Sequence, residues 1–189
     1  MADVIDVANY ILEISREESP DGENDLISNM KLQKLVYLCQ GYALALHDRP
    51  LFPDQIEAWE HGPVCPPLYH AVKKYGKLPI TESIGDQEAV LSESEKRLIG
   101  MVYGFYRQYS ASGLRDLTHR EGPWRDTCRN AVIAPDAMIG YFDSLMEVAP
   151  ADIPPSTESE KHKLAEILEK AEADGEIDLS RFCVPVGIR

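Results

Sequence analysis

The sequence predicts a mainly α-helical domain, and three observations support this fold class. Apolar residues recur at helical spacing through residues 4–14, and a longer apolar stripe covers residues 30–46. Ser92 and Glu95 form a capping box in front of a third amphipathic segment. Strand-like alternation is confined to short runs, so we expect a compact multi-helix domain with room for a small β element near residues 55–59 and 78–80.

Two helices are expected in the first part of the chain. Asp3 can cap the first helix, which should end before the turn-forming residues 19–22, Ser-Pro-Asp-Gly. The second begins near Ser28 or Asn29 and runs to about His47. Its apolar stripe is unusually wide, which indicates a central helix that is buried on more than one side.

The next segment contains the expected β element. Residues 55–59 alternate in polarity and could be either a strand or an extended lead-in. A helix is expected from about Pro63 because proline is favoured at the first helical position, with Gly76 as its stop. Pro66 and Pro67 are compatible with this helix only in its first turn.

The remaining chain predicts further helices and a change of character at residue 150. After the helix that Ser92 opens, we expect a short helix over residues 112–118 and another from Pro135. The helical domain should therefore cover residues 1–149. Residues 150–189 should contain a proline-rich linker, an amphipathic helix from about residue 158 and an extended tail.

Composition restricts the classes of protein to consider. No apolar run reaches the roughly 20 residues that cross a bilayer, and no basic region precedes the first apolar residues. The four cysteines are scattered, which is typical of reduced thiols, so we expect a soluble cytoplasmic protein. The net charge of −13 disfavours nucleic-acid binding and favours a basic protein partner.

The residues that could support catalysis or metal binding form no recognisable site. His61, Cys65 and His70 are close in sequence, but Gly-Pro and Pro-Pro pairs interrupt them and no fourth ligand is evident. A cysteine paired with His119 is possible on paper. No phosphate-binding loop or nucleophile elbow occurs. We therefore expect that the protein is not an enzyme and that it binds neither a metal nor a cofactor.

Several large or charged residues stand beside turn-forming residues or inside apolar segments. Trp59 and Trp124 flank Gly-Pro pairs and could either pack helix junctions or line a binding groove. His119 could cap a helix C-terminus. Lys34 lies in the middle of the most apolar helix, where it either extends its ammonium group to the surface or pairs with a carboxylate such as Glu57, Glu60 or Glu121.

Three blocks of sequence together resemble the Panacea domain of SocA-like antitoxins and phage-associated GepA-type proteins. They are MKLQKLVYLCQGYALAL at residues 30–46, EAWEHGPVCPPLYHAVKKYG at 57–76 and LTHREGPW at 117–124. Tyr141-Phe142 follows downstream. The order and spacing of the blocks match that family over roughly residues 3–146.

The resemblance implies an all-α fold and the role of an antitoxin that neutralises a cognate protein toxin by direct contact. An alternative is a proteolytic adaptor that delivers the toxin to an ATP-dependent protease of the ClpXP kind. An alternative of another class is a hydrolase or metalloenzyme. Residues 150–189 lie outside the resemblance and could also provide the contact. The candidate partner-binding residues, which could equally hold the scaffold, are Lys34, Tyr37, Trp59, Tyr69, His119 and Trp124.

Overall fold

The computed structural model describes residues 1–18, 27–85 and 90–147. These residues form seven α-helices and one two-stranded sheet, which confirms the predicted mainly α-helical class. The elements are α1 Val4–Glu18, α2 Asn29–His47, β1 Glu57–Trp59, β2 Gly62–Val64, α3 Pro66–Val72, a 3-10 helix Lys73–Tyr75, α4 Glu93–Tyr106, α5 Ala111–Arg120, α6 Gly122–Arg125 and α7 Pro135–Glu147.

Two sequence predictions cannot be compared with this fold. The linker, amphipathic helix and tail expected over residues 150–189 lie outside the described residues. The boundary between residues 149 and 150 therefore stays a prediction. Within the described ranges, no helix combines the length and the apolar character that crossing a membrane requires.

Local capping chemistry determines where the helices begin. A carboxylate oxygen of Asp3 accepts a hydrogen bond of 2.7 Å from the backbone N–H of the second residue of α1. Ser28 caps α2, Ser110 caps α5, and Ser92 and Glu95 form the expected reciprocal capping box at α4. Each cap satisfies backbone donors that have no partner inside the helix. The helix starts predicted at Asp3, Ser28 and Ser92 are confirmed, whereas the helix expected over residues 112–118 begins one residue earlier, after Ser110.

Helix α2 lies at the centre of the domain. It packs against α1, α3, α4, α5 and α7 and against β2. Its residues from Lys31 to Ala45 are all buried, as the wide apolar stripe predicted. A helix surrounded in this way must satisfy its own polar side chains inside the protein.

Two buried glutamines of α2 meet that requirement by binding the backbone of later segments. The side-chain amide of Gln40 donates to the Phe52 carbonyl at 3.0 Å, and its oxygen accepts from the Leu51 N–H at 2.9 Å. The side-chain oxygen of Gln33 accepts from the Cys65 N–H at 2.9 Å. The chain after α2 is thus attached to the helix at two points, and the second lies between β2 and α3.

The β element is an antiparallel hairpin. Glu57–Trp59 pairs with Gly62–Val64, which confirms a strand within residues 55–59. A later segment extends the hairpin on the other side of β1. The Ala58 N–H donates to the Ala131 carbonyl at 2.9 Å, and the Asn130 N–H donates to the Ala58 carbonyl at 2.8 Å. The hairpin therefore links the chain after α2 to the segment before α7.

The helix expected from Pro63 begins three residues later, so that prediction is wrong in its start. Pro63 lies in β2, and the extended backbone of Cys65 precedes the helix. Pairing with β1 overrides the local preference of proline for a helix start. Pro66 and Pro67 do occupy the first turn of α3, and Gly76, with a positive φ of 56°, follows the 3-10 helix.

The extended segment expected at residues 78–80 lies away from the hairpin. Pro79 forms an isolated antiparallel bridge with Ser28, and the Ile80 N–H donates to the Ile27 carbonyl at 2.9 Å. This pairing places the segment beside the N-terminal end of α2. It belongs to no named strand.

Candidate functional site

Helix α2 contributes two of the candidate residues to the interior. Lys34 is 1% exposed and Tyr37 is fully buried. Because they are three residues apart on a helix, their side chains leave the same face. That face points to β2, α5 and the start of α6.

Lys34 does not reach the surface, so the surface-extension alternative is wrong. Its ammonium group donates to the Pro63 carbonyl at 2.9 Å. Burial lowers the pKa of Lys34 to about 7, because desolvation penalises the charged form, and the negative charge of Glu121 acts in the opposite direction. Of the three carboxylates expected as partners, Glu121 is therefore the one coupled to Lys34.

Glu121 is the counterpart of Lys34 in the interior. It is 2% exposed, and its carboxylate accepts a hydrogen bond of 2.7 Å from the Tyr37 hydroxyl. Burial raises the pKa of Glu121 to about 7, while the Tyr37 hydrogen bond and the charge of Lys34 lower it in part. We refer to Lys34, Tyr37 and Glu121 as the buried polar frame.

A glycine makes room for this frame. Gly62, in β2, has a φ of +99°, a backbone conformation that L side chains rarely adopt. A Cβ added there would lie 2.6 Å from Cε of Lys34 and 2.9 Å from the hydroxyl oxygen of Thr118. The close approach of β2 to α2 therefore requires glycine at this position.

The other four candidate residues form a second, partly exposed layer. The rings of Trp59 and Tyr69 meet edge to face with centroids 4.9 Å apart. The Trp124 indole N–H donates to the Trp59 carbonyl at 2.9 Å. The rings of His119 and Trp124 stack in parallel, with centroids 3.9 Å apart and an interplanar angle of 2°. We call Trp59, Tyr69, His119 and Trp124 the aromatic surface.

His119 belongs to the aromatic surface and is electrostatically coupled to Lys34 of the buried polar frame. It lies in the last turn of α5, a position from which it could cap the helix, and its ring stacks on Trp124. Its pKa is lowered by burial first and then by the positive charges of Lys34 and Arg115. Its Nε2 atom is buried without a hydrogen-bond partner in the described part of the chain. The neutral ring is therefore favoured, which suits flat stacking on an indole.

All six predicted residues thus belong to one connected arrangement. From the sequence, Glu121 was one of three possible partners of Lys34, and in the structure it completes the frame. The available signal was indirect: a lysine in the middle of a buried helix requires a compensating acid. The sequence did not indicate that glycine is required at residue 62, because the positive φ of Gly62 arises in the hairpin and not from any local pattern.

His61, Cys65 and His70 do not form a cluster of metal ligands in the described part of the chain. Cys65 is buried, and burial raises its pKa to about 12, so it remains a thiol. His61 and His70 are exposed. No group of three potential metal ligands occurs among the described residues.

Fold and site together define a small helical domain in which a buried polar frame supports an aromatic surface. The family model described as "Antitoxin SocA-like, Panacea domain" matches residues 32–125, which include every residue of the frame and of the surface. Residues 32–125 of the chain are therefore similar to the SocA-like Panacea domain.

A curated relative is consistent with this match. The chain is 44% identical over 50 residues to Antitoxin SocA of Caulobacter vibrioides (strain NA1000 / CB15N). The match covers 26% of this chain and 27% of that protein, so the chain spans about a quarter of the relative's length. No solved structure matches the chain.

Proposed function

We propose that this chain is the antitoxin of a toxin–antitoxin pair, which acts in the cytoplasm by binding a cognate protein toxin. The aromatic surface is the proposed contact, and Lys34 and Tyr37 support it from the interior of the domain. The observation that carries the proposal is that four aromatic side chains of the family-matched region gather on one partly exposed surface. Tryptophan and tyrosine are enriched among the residues that dominate binding energy at protein interfaces.

The first test is co-expression with the product of the neighbouring gene. We expect that product to arrest growth alone, and we expect this chain to restore growth and to co-purify with it. A harmless neighbouring product that forms no complex would contradict the proposal. Toxin half-life, measured with and without this chain, distinguishes neutralisation by binding, which leaves the half-life unshortened, from delivery to a protease.

The second test addresses the contact surface. Tyr69→Ala removes an aromatic side chain that contacts Trp59 and is partly exposed. We expect it to weaken toxin binding by about tenfold or more. Tyr109→Ala is the matched control: Tyr109 is also partly exposed but precedes the start of α5, about 15 Å from the end that carries His119. Equal effects of the two substitutions would show that the aromatic surface is not the contact.

A further inference from the structure

The acidic side chains around the aromatic surface already have partners. Each carboxylate that flanks the surface in the described chain is hydrogen-bonded or ion-paired with a neighbouring side chain. The negative charge of Glu60, Asp116 and Asp126 is therefore compensated in part by arginines, whereas the hydrogen bond from the neutral Trp59 indole leaves the charge of Glu57 in place. The pairs are Glu57 with Trp59 at 2.7 Å, Glu60 with Arg129 at 3.8 Å, Asp116 with Arg115 at 2.7 Å and Asp126 with Arg125 at 2.8 Å.

Two basic residues close in the chain to the aromatic surface, whose surroundings we call its border, differ from these acids. Arg120 follows His119 directly in the chain, and Lys73 follows Tyr69 after one helical turn. Both are exposed, and neither has an ion-pair partner among the residues that the structure describes. The charge that remains available to a partner at this border is therefore positive.

The charge balance of the segments points in the same direction. Residues 57–77 and 115–129, which carry the whole aromatic surface, contain seven basic and five acidic residues, a net +2. One of those acids, Glu121, is buried. The complete chain has a net charge of −13. The aromatic surface is thus a locally basic region on an acidic molecule.

We propose that the aromatic surface binds an acidic segment of the partner protein that carries an apolar or aromatic side chain. The apolar group packs against Trp59, Tyr69 and Trp124. Carboxylates of the segment pair with Arg120 and Lys73. This inference rests on the proposed function and specifies the partner's chemistry at the contact, which is opposite to the basic partner that the overall charge favours.

A protein segment fits the surface better than a nucleic acid does. A guanidinium group binds carboxylate and phosphate alike, so Arg120 alone does not discriminate between them. A nucleic acid, however, brings a long row of phosphates close to a molecule of net charge −13. A short acidic segment meets only the basic border, where complementary charges accelerate association and select the partner.

The experiment uses the full-length chain and the co-purified product of the neighbouring gene. Binding is measured by calorimetry at about 50 mM and about 300 mM NaCl for the wild type, for Arg120→Glu with Lys73→Glu, and for Arg49→Glu. Arg49 is the control because it is exposed and follows α2, whose 19 residues span about 28 Å, at the end opposite Lys34. Circular dichroism establishes that all variants are folded.

We expect the double reversal to weaken binding by about tenfold or more at low salt and Arg49→Glu to change it by less than about twofold. The affinity of the wild type should decrease as the salt concentration rises. Unchanged or tighter binding by the double variant overturns the inference. If Tyr69→Ala still weakens binding in that case, the proposed function stands. If the wild type binds no product of the neighbouring gene, both the inference and the proposed function fail.

Two other possible occupants of the aromatic surface, a nucleic acid and a second copy of the chain, would give distinct results in binding and sedimentation experiments. A fluorescent single strand of about 12 nucleotides that binds the wild type and competes with the protein partner overturns the inference in favour of nucleic acid. A dimer of the chain alone that the double reversal dissociates, as seen by sedimentation velocity, overturns it in favour of a second copy. Absence of both, together with the expected losses of affinity, supports the acidic segment.

Discussion

Glu121 illustrates at the level of a single residue how the interior of this domain differs from its surface. The carboxylate is almost fully buried, receives one hydrogen bond from Tyr37 and is coupled to Lys34. Desolvation moves the pKa of both Glu121 and Lys34 towards neutrality, to about 7 in each case. The two groups are therefore more sensitive to pH near neutrality than ordinary surface acids and bases.

Glu121→Gln should change the dependence of stability on pH. The pKa of Glu121 is about 7 in the folded protein and starts from 4.5 in the reference state. Between these values the folded protein binds more protons than the unfolded chain, so this group's contribution to stability decreases as pH rises through the window. Between pH 4.5 and 7, the free energy of unfolding of the wild type should fall by on the order of 3 kcal/mol relative to that of the variant, as measured by urea unfolding.

Glu60→Gln is the control for this measurement. The side chain of Glu60 is 67% exposed, and its ion pair with Arg129 is on the surface. At each pH, the free energy of unfolding of Glu60→Gln should agree with that of the wild type within about 0.5 kcal/mol. A Glu121→Gln curve that also follows the wild type would mean that Glu121 titrates normally in the folded protein.

At the level of elements, the close approach of α2 and α7 depends on a small residue. Gly41 of α2 faces Phe142 of α7, and a Cβ added at Gly41 would overlap the Phe142 ring. That ring also contacts Tyr42 and Tyr37 edge to face, with centroids 4.9 Å and 5.8 Å away. The ring therefore cannot move aside without disturbing the centre of the core.

Gly41→Ala should destabilise the protein by about 2 kcal/mol or more, because overpacking in a dense core forces side chains or helices to shift. Gly100→Ala in α4 is the matched control, since nothing lies within 4 Å of its added Cβ. That control should raise stability by about 0.5 to 1 kcal/mol, because alanine is the better helix former. Urea unfolding measures both, and a neutral Gly41→Ala would show that this contact does not determine the helix spacing.

At the level of the whole molecule, one apolar core includes residues from all of the longer helices. The hairpin, α3 and α6 are connected to α2 by buried polar contacts of Gln33, Lys34 and Tyr37. The aromatic surface is built on these connected elements. Its structure should therefore persist for as long as α2 remains in the core.

Unfolding monitored at the aromatic surface should coincide with unfolding of the helices. Trp59 and Trp124 are the two tryptophans of the chain, so fluorescence excited at wavelengths that the tyrosines do not absorb reports on this surface. We expect the fluorescence and circular-dichroism transitions in urea to have the same midpoint, as in a two-state transition. A fluorescence transition at lower urea concentration would mean that the hairpin and α6 open before the core unfolds.

The sequence predicted the helices well because their signals are local. Apolar spacing identified α2 as the central helix, and serine caps identified where α2 and α4 begin. The start of α3 was missed because Gly62–Val64 pairs with β1, a contact that outweighs the local preference of Pro63.

What the sequence determined by itself was the helical class, the central helix and the residues that resemble the Panacea family. Only the tertiary structure decided that Lys34 remains buried with Glu121, and that Trp59, Tyr69, His119 and Trp124 form one surface. The physical reason is that helix periodicity and caps involve residues within a few positions of each other. The frame and the surface join residues from α2, the hairpin, α3, α5 and α6, and their packing alone brings these residues together.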